Sequence, residues 1–172
     1  MPATFDLDHP DLCVVSGAGA NTTLAYPPSH LEGDDTCAYL SWQLQAPVFS
    51  FHIHDGDLWL FVLYDKGEVV TQFNPLPDYW DDFISPEEIA AWQGDPVALC
   101  QHIPYLQPQQ VERYLLRWDL ENEQPGKAYA QDEFDIADEW QLLDFMRTLR
   151  LAYPLDEPVL SQSQYFKFWT KH

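Results

Sequence analysis

The chain has 172 residues, of which 46% are hydrophobic and 15% aromatic, and this composition excludes an intrinsically disordered protein. The length predicts a single domain over residues 1–172. Twenty-eight acidic residues against eight Lys and Arg give a formal net charge of −20, which disfavours binding to nucleic acids and to anionic membranes. The same charge favours a basic protein as partner, although acidity that serves only solubility is an equally valid interpretation.

Cysteine usage and the first residues indicate the cellular compartment. Cys13, Cys37 and Cys100 are odd in number and widely spaced, so they form neither a CxxC pair nor the disulfide framework of a secreted domain. The first residues lack the basic and apolar regions of a secretion signal, and no run of about 18 apolar residues could span a bilayer. We therefore expect a soluble cytoplasmic protein in which the cysteines are buried.

Residues 1–44 give weak secondary-structure signals. Gly, Pro and Asp pairs in residues 1–36 predict turns and loops around one short strand near residues 12–15. Residues 37–44 carry apolar side chains at alternate positions, namely Ala38, Leu40, Trp42 and Leu44. Alternation of this kind favours a strand over these eight residues.

Residues 47–74 give the clearest pattern in the chain. Asp55-Gly56 separates two strand-like apolar runs, and an Asp-Gly pair in that position predicts a hairpin because both residues tolerate positive φ. If the loop consists of these two residues, His54 lies opposite Asp57 and the two runs pair in a fixed register.

A second turn at residues 65–68 leads into a third apolar run and places Tyr64 opposite Val69. The three runs predict an antiparallel meander, in which side chains two residues apart share a face. The face predicted to form the core holds Phe49, Phe51, Ile53, Leu58, Leu60, Val62, Tyr64, Val69 and Phe73. We expect Phe51 and Leu60 to be nearly inaccessible to solvent.

Helix signals begin after the meander. Ser85-Pro86 followed by Glu88 has the pattern of a capping box with proline at the first helical position. Further helices are predicted over residues 95–102, from residue 107 onward, and over residues 137–149.

Two other segments complete the predicted fold. Residues 119–139 carry eight acids and one Lys, which predicts an exposed loop, and the aromatic tail at residues 165–169 is expected to dock on the body or to add an edge strand. The predicted fold is α+β: an antiparallel sheet, a three-stranded meander with up to five strands in all, covered on one face by C-terminal helices.

His52, His54 and Asp57 form the best candidate for a metal site. Alternate residues of a strand point to the same side, and the predicted hairpin returns Asp57 to that side, so two imidazoles and a carboxylate could bind a divalent metal such as Zn²⁺. Hydrogen bonding among these side chains at a solvent-exposed hairpin end is the alternative, and the absence of a fourth ligand or a general base from the pattern favours it.

A proline-flanked segment is the candidate partner-binding site. Rigid prolines hold two large aromatic side chains next to three carboxylates, and such aromatics make good interface anchors while acids steer a basic partner. In the alternative interpretation, the aromatic side chains fill the core and the acids form a solvated rim. The residues of this segment are Asp78, Tyr79, Trp80, Asp81 and Asp82.

Enzyme motifs are missing from the sequence. GxGxxG, the P-loop, GxSxG and HExxH do not occur, and the acidic residues 132–135 lack the calcium-loop pattern. The sequence therefore favours a non-enzymatic role and predicts no cofactor, with a divalent metal as the alternative.

Three strings resemble a known group of proteins. FHxHDxDLW at residues 51–59, QFNPxPDYW at residues 72–80 and YLxRWD at residues 114–119 are similar to segments of a group of short uncharacterised bacterial proteins, and the likeness covers about residues 47–154. The group has no established activity, so the resemblance implies no function.

These features predict a non-enzymatic acidic protein that binds a basic protein, such as a bacterial immunity protein or inhibitor that caps a basic toxin or nuclease. One alternative is a small metal-binding protein or metal-dependent enzyme that uses His52, His54 and Asp57. The other is an accessory protein whose acidity is incidental.

Overall fold

The chain adopts an α+β fold with two separate three-stranded antiparallel sheets. The computed structural model describes residues 12–18, 20–26, 33–80, 83–122 and 126–167. The chain divides into two compact units, one formed by Met1–Gly33 with Met146–His172 and the other by Asp34–Phe145. The predicted α+β fold with a three-stranded meander is confirmed, three further strands form a second sheet, and the single domain over residues 1–172 stays a prediction.

Eleven helices and strands make up the described part of the chain, together with one 3₁₀ turn at Pro108–Gln110. In chain order they are β1 (Leu12–Ala18), β2 (Asn21–Ala25), α1 (Gly33–Leu44), β3 (Val48–His54), β4 (Leu58–Asp65), β5 (Glu68–Phe73), α2 (Pro86–Ala91), α3 (Pro96–His102), α4 (Gln141–Thr148), α5 (Glu157–Leu160) and β6 (Gln164–Lys167).

The first unit contains a sheet with the strand order β2-β1-β6. The strand predicted near residues 12–15 is present and longer than expected, and its Cys13 and Val14 side chains are buried. The prediction that the aromatic tail adds an edge strand is confirmed for β6, which pairs with β1 so that Phe166 lies opposite Cys13. Residues 168 and 169 of that prediction lie outside the described residues.

The second unit contains the predicted meander, with the strand order β3-β4-β5. The turn between β4 and β5 is as expected: Lys66 and Gly67 have φ of 53° and 88°, and Tyr64 lies opposite Val69. Two consecutive residues with positive φ match the right-handed twist of the flanking strands, so the loop needs only these two residues.

The register between β3 and β4 differs from the prediction by one residue. Asp55 and Gly56 do have positive φ, and the Asp57 N–H donates to the His54 carbonyl oxygen at 2.9 Å. Asp57 nevertheless stays in the turn, and the ladder begins with His54 opposite Leu58. The predicted pairing of His54 with Asp57 is therefore wrong, and a shift of one residue moves every β4 side chain to the other face.

One face of this sheet is a cluster of aromatic rings. Phe51 lies opposite Phe61 in the ladder, and Trp59 and Phe145 complete the cluster, with the Phe145 ring centroid 5.3 Å from that of Phe61 and 5.4 Å from that of Trp59. Trp59, Phe61 and Phe145 are fully buried. Leu60 and Phe51 are only half-buried, so the expectation that both would be inaccessible is wrong.

The opposite face of the sheet is covered by α1. The Cys37 thiol donates to the Phe49 carbonyl oxygen at 3.8 Å, and the Ser41 hydroxyl accepts from the Gly67 N–H at 2.8 Å. The strand predicted over residues 37–44 is thus wrong: this stretch has no β-branched residue and follows two aspartates that favour a helix N-terminus. The sheet is therefore covered on both faces and not on one face as predicted, and β4 is buried on both sides.

Two short helices follow the predicted capping patterns. Ser85 forms the expected capping box with Glu88 at the start of α2, and Asp95 accepts from two backbone N–H groups at the start of α3. The helix expected from residue 107 is reduced to the 3₁₀ turn, and α4 begins later than residue 137 because Ala137 has φ of 68°.

The segment between these helices closes the outer edge of β5. The Asp95 N–H donates to the Thr71 hydroxyl at 2.8 Å, and the Asn74 N–H donates to the Trp92 carbonyl oxygen at 3.0 Å. Phe73 also forms an isolated bridge with Gln93. These contacts join the last part of β5 to the chain that follows it.

The acidic segment over residues 119–139 is not a wholly exposed loop. The buried Asp132 carboxylate accepts from the Tyr114 hydroxyl at 2.8 Å and from the Tyr129 N–H at 2.9 Å. Asp144 of α4, also buried, accepts from two backbone N–H groups of the segment at 2.9 Å. The prediction of an exposed loop is wrong here because a carboxylate that is fully hydrogen-bonded can be buried.

Candidate functional site

The two segments selected from the sequence meet at one place on the surface of the second unit. The Tyr79 hydroxyl donates to Asp57 Oδ2 at 2.6 Å, and Trp80 Nε1 donates to His54 Nε2 at 3.2 Å. The turn between β3 and β4 therefore holds the polar ends of both aromatic side chains. Since an indole N–H can only donate, His54 Nε2 is the acceptor of this hydrogen bond.

A short rigid loop positions the two aromatic residues. Asn74 at the end of β5 is buried, and its Oδ1 accepts from the Leu76 N–H at 2.9 Å, which forms an Asx turn. The Pro75 carbonyl oxygen accepts from the Trp118 N–H at 3.1 Å, and the Tyr79 N–H donates to the Leu76 carbonyl oxygen at 3.0 Å. The loop thus leaves the sheet in one defined direction.

Three rings stand nearly perpendicular to one another at this site. The interplanar angles are 76° for His54 and Tyr79, 80° for His54 and Trp80, and 75° for Tyr79 and Trp80. Tyr79 is 42% exposed and Trp80 51% exposed, so neither fills the core, and the alternative interpretation of this segment is wrong on that point.

Carboxylates surround these rings. The pKa of the Tyr79 hydroxyl is raised, chiefly because it donates to the ionised Asp57 and also because the negative charges of Asp57 and Asp55 disfavour the phenolate. Asp55 Oδ2 lies 3.5 Å from His54 Nε2, and its side chain is 81% exposed. The site therefore presents aromatic surface next to negative charge.

Asp78 has a partner that the sequence analysis missed. Arg117 donates to its Oδ2 at 2.6 Å across 39 residues of sequence, a separation at which no spacing pattern could indicate contact. The pair lines an open pocket of about 580 Å³ that extends from Tyr79 to Asp119 and Glu121. Of the five residues predicted to bind a partner, Asp81 and Asp82 lie outside the described residues.

The three side chains predicted to bind a metal do not converge. His52 Nε2 lies 3.0 Å from the Ser50 hydroxyl and 3.5 Å from Asp34, whereas His54 and Asp57 engage the aromatic pair. Across the part of the chain that the structure describes, no group of three His, Cys, Asp or Glu side chains is arranged to hold a metal ion. The predicted geometry is wrong because Asp57 stays in the turn, and metal binding itself stays a prediction.

The cysteines are not poised for nucleophilic chemistry. Cys13 is buried, Cys37 and Cys100 are half-buried, and in all three the pKa of the thiol is raised by desolvation. A thiol with a raised pKa is mostly protonated near neutral pH, and the protonated form is a poor nucleophile.

Comparisons of the chain with protein-family models, with curated proteins and with solved structures gave no match. The resemblance to a group of short bacterial proteins therefore stays a prediction. Among the described residues, no helix has both the length and the apolar character needed to cross a membrane.

Proposed function

We propose that the protein is a non-enzymatic acidic binding protein that docks on a basic protein through Tyr79 and Trp80. The observation that carries the proposal is that both aromatic side chains are about half exposed, yet their polar ends are fixed by hydrogen bonds to Asp57 and His54 at the hairpin between β3 and β4. Large aromatic residues that protrude in a fixed orientation are the typical anchors of protein interfaces.

Fixing the anchors before binding matters for affinity. A side chain that becomes ordered only at an interface loses about 0.5–1.5 kcal/mol of conformational freedom on association. Tyr79 and Trp80 have already lost much of this freedom in the free protein because each is bonded at its polar end. The hydrogen bonds to Asp57 and His54 thus favour binding without contacting the partner.

The charge of the protein selects the class of partner. The net charge is −20, and no Lys or Arg occurs before Lys66. Asp55 and Asp57 lie beside the anchors, and Asp81 and Asp82 follow them in the sequence. A field of this sign attracts a basic protein over about a Debye length and accelerates its association.

An immunity protein or inhibitor that caps a basic toxin or nuclease in the bacterial cytoplasm would combine these properties. Such a partner carries a positively charged active site because its own substrate is anionic. A rigid acidic surface with aromatic anchors is complementary to that site in charge and in contact chemistry, and it needs no catalytic residues of its own.

Affinity capture with matched variants tests the proposal. The full chain, Trp80→Ala and Trp42→Ala would be used as baits in bacterial lysate at low and high salt. Trp42 on α1 is the control because it is 56% exposed, close to the exposure of Trp80. We expect the unaltered chain and Trp42→Ala to retain a basic protein at low salt, and high salt to release it. Trp80→Ala should retain less of this protein.

Association and dissociation rates measured with the captured protein separate the effect of the aromatic anchors from that of electrostatic steering. Trp80→Ala should mainly raise the off-rate, whereas Asp81→Asn combined with Asp82→Asn should mainly lower the on-rate at low salt. Capture of only acidic or neutral proteins, or binding that is insensitive both to salt and to Trp80→Ala, would overturn the proposal.

A further inference from the structure

The outer edge of β3 has no backbone partner among the described residues. The sheet of the second unit has the strand order β3-β4-β5, so β3 and β5 are its two edges. At the outer side of β5, the Asn74 N–H donates to the Trp92 carbonyl oxygen. Beyond its ladder with β4, β3 forms one backbone bond in the described part of the chain, from the Asp57 N–H to the His54 carbonyl oxygen in the turn.

The hydrogen bonds of β5 show which groups of β3 point outward. In an antiparallel sheet, consecutive residues direct their N–H and C=O groups to opposite sides of the strand. Asn74 bonds outward to Trp92, so the preceding residue Phe73 points inward to β4. Phe73 lies opposite Phe61, which therefore directs its N–H and C=O to β5 and not to β3. Phe51 lies opposite Phe61 on the other side, and its own N–H and C=O consequently face away from β4.

Two further contacts agree with this direction. The Phe49 carbonyl oxygen, two residues before Phe51, accepts from the Cys37 thiol at 3.8 Å. The His54 carbonyl oxygen accepts a bond inside the hairpin at 2.9 Å, so the preceding residue Ile53 has the opposite direction. The N–H and C=O groups of Phe51 and Ile53 therefore face outward, and no described backbone group bonds to them.

The sequence of β3 lacks the features that usually protect an open edge. Natural edge strands carry Lys or Pro, or contain a bulge, and these features prevent pairing with another chain. The strand Val48–His54 reads VFSFHIH, and its register with β4 continues from Val48 to His54 without a bulge. An unpaired edge of this composition is typical of a surface that pairs with an added strand.

The two faces beside this edge differ in chemistry. Phe49 and Phe51 share one face, where their half-buried rings stack with centroids 5.1 Å apart. The other face carries His52, whose Nε2 lies 3.5 Å from Asp34 of α1, and these two side chains are 45% and 54% exposed. An added strand would place alternate side chains on the two faces. Apolar side chains would contact the phenylalanine rings, and basic side chains would lie near Asp34.

Charge and position select the occupant of the edge. Two copies of a chain with a net charge of −20 repel each other, which disfavours pairing of β3 with a second copy. His54, the last residue of β3, accepts the hydrogen bond from Trp80 Nε1 at 3.2 Å. The edge is thus continuous with the anchors of the proposed binding site, and the same negative charge favours the same basic partner.

We propose that the outer edge of β3 pairs with an extended segment of the basic partner in which basic and apolar residues alternate. This inference rests on the proposed function and adds the mode of binding. Backbone hydrogen bonds to Phe51 and Ile53 supply affinity for any extended segment, and the two different faces of the sheet select the alternation.

Amide hydrogen exchange in the ¹⁵N-labelled full chain tests the geometry of the free protein. The N–H groups of Phe51 and Ile53 should exchange faster than those of Ser50 and His52, which point to β4. Exchange of Phe51 and Ile53 as slow as that of Ser50 and His52 would overturn the proposal. Shifts of the Phe51 and Ile53 signals that grow with protein concentration would also overturn it, because a second copy would then occupy the edge.

Peptides of the length of β3 then serve as defined probes. In the first, lysine and valine alternate, and the second has the same composition with the lysines and valines in separate blocks. The third replaces each lysine of the first by glutamate. We expect the alternating lysine peptide to shift the Phe51 and Ile53 amide signals with saturation and to slow their exchange. The block peptide should bind more weakly, and the glutamate peptide should leave both signals unmoved.

Variants assign the binding to the edge. Ile53→Pro removes an outward N–H that β4 does not use, and proline is tolerated at such a position of an edge strand. Ile53→Ala is the matched control because it loses the side chain and keeps the N–H. Ile53→Pro should bind the lysine peptide about tenfold more weakly than Ile53→Ala, the size of one lost hydrogen bond. Asp34→Asn should weaken binding about twofold or more, and Glu68→Gln on the other edge should not.

The outcomes separate this proposal from the proposed function. Equal binding by Ile53→Pro and Ile53→Ala, equal binding of the alternating and block peptides, or unmoved Phe51 and Ile53 signals would each overturn pairing at β3. If a basic protein is still captured through Trp80, the proposed function then stands without it. If the lysine peptide pairs with β3 but no basic protein is captured, the edge site stands and the proposed function fails.

Discussion

The Tyr79 hydroxyl donates to Asp57 Oδ2 at 2.6 Å and thereby joins the loop after β5 to the turn between β3 and β4. Asp57 is the residue that stays out of the β-ladder and shifts the register by one position. The same residue thus determines which side chains of β4 face the aromatic cluster and holds an anchor of the proposed binding site.

Replacing Asp57 should lower the pKa of Tyr79. The pKa is raised because the hydroxyl donates to an ionised carboxylate, and Asp57→Asn removes that charge, so the phenolate becomes less unfavourable and the pKa moves down toward the usual value of about 10. A pH titration of the tyrosine ¹³Cζ signals by NMR measures the change. Asp78→Asn is the control, because Asp78 pairs with Arg117. An unchanged Tyr79 titration in Asp57→Asn would contradict the assignment.

The observed register predicts unequal costs for two neighbouring core positions. Phe61 is fully buried among Trp59, Phe73 and Phe145, so Phe61→Ala should lower the free energy of unfolding by about 3–5 kcal/mol through cavity formation. Leu60 is half-buried, and Leu60→Ala should cost clearly less. Urea unfolding of both variants measures the difference, and a larger loss for Leu60→Ala would favour the two-residue loop instead.

The sequence predicts the meander well because its turns depend on local chemistry. Asp55-Gly56 adopts positive φ as expected, residues 65–68 form the predicted second turn, and the capping box at Ser85 forms. The register is not predictable in the same way. β4 is apolar on both faces, so hydrophobic alternation does not indicate which of two registers is correct, and the loop length at Asp57 decides it.

The candidate site was only partly predictable for a related reason. Sequence patterns selected His54 and Asp57 for a metal, and Tyr79 and Trp80 for a partner, and the contact between the two pairs joins residues 22 and 26 positions apart. Such contacts depend on the direction in which the loop leaves the sheet, which is set by tertiary packing. The exposure of the aromatic side chains could not be predicted either, because composition does not distinguish an interface anchor from a core residue.

The buried network at Asp132 should contribute measurably to stability. Tyr114→Phe removes a hydroxyl that donates to a buried carboxylate at 2.8 Å, and hydrogen bonds to charged groups contribute about 1.5–3 kcal/mol. Urea unfolding measures the loss, and Tyr39→Phe at an exposed position should change stability by less than about 0.5 kcal/mol. In Tyr114→Phe combined with Asp132→Ala the losses should not add, since both changes remove the same bond. Additive losses would contradict a direct bond.

Stability should fall at alkaline pH because of Tyr64. Burial, together with the negative charges of Asp34, Cys37 and Asp35, raises the pKa of Tyr64 to about 12. A folded-state pKa above the unfolded value of about 10 means that the stabilising contribution is complete below pH 10 and is lost as the pH rises toward 12. Urea midpoints measured across this range should decline less steeply for Tyr64→Phe. An identical decline in the variant would show that other groups are responsible.

The cover over the outer edge of β5 bears on how the protein behaves at high concentration. Phe73 forms a bridge with Gln93 and the Asn74 N–H donates to the Trp92 carbonyl oxygen, so the end of β5 offers few free backbone groups to a second molecule. The uncovered start of the strand carries the exposed Glu68, and a charge at a sheet edge repels an incoming strand of another copy. The molecule can therefore present exposed aromatic rings to a partner while the β5 edge of its sheet resists the strand-to-strand pairing that leads to amyloid.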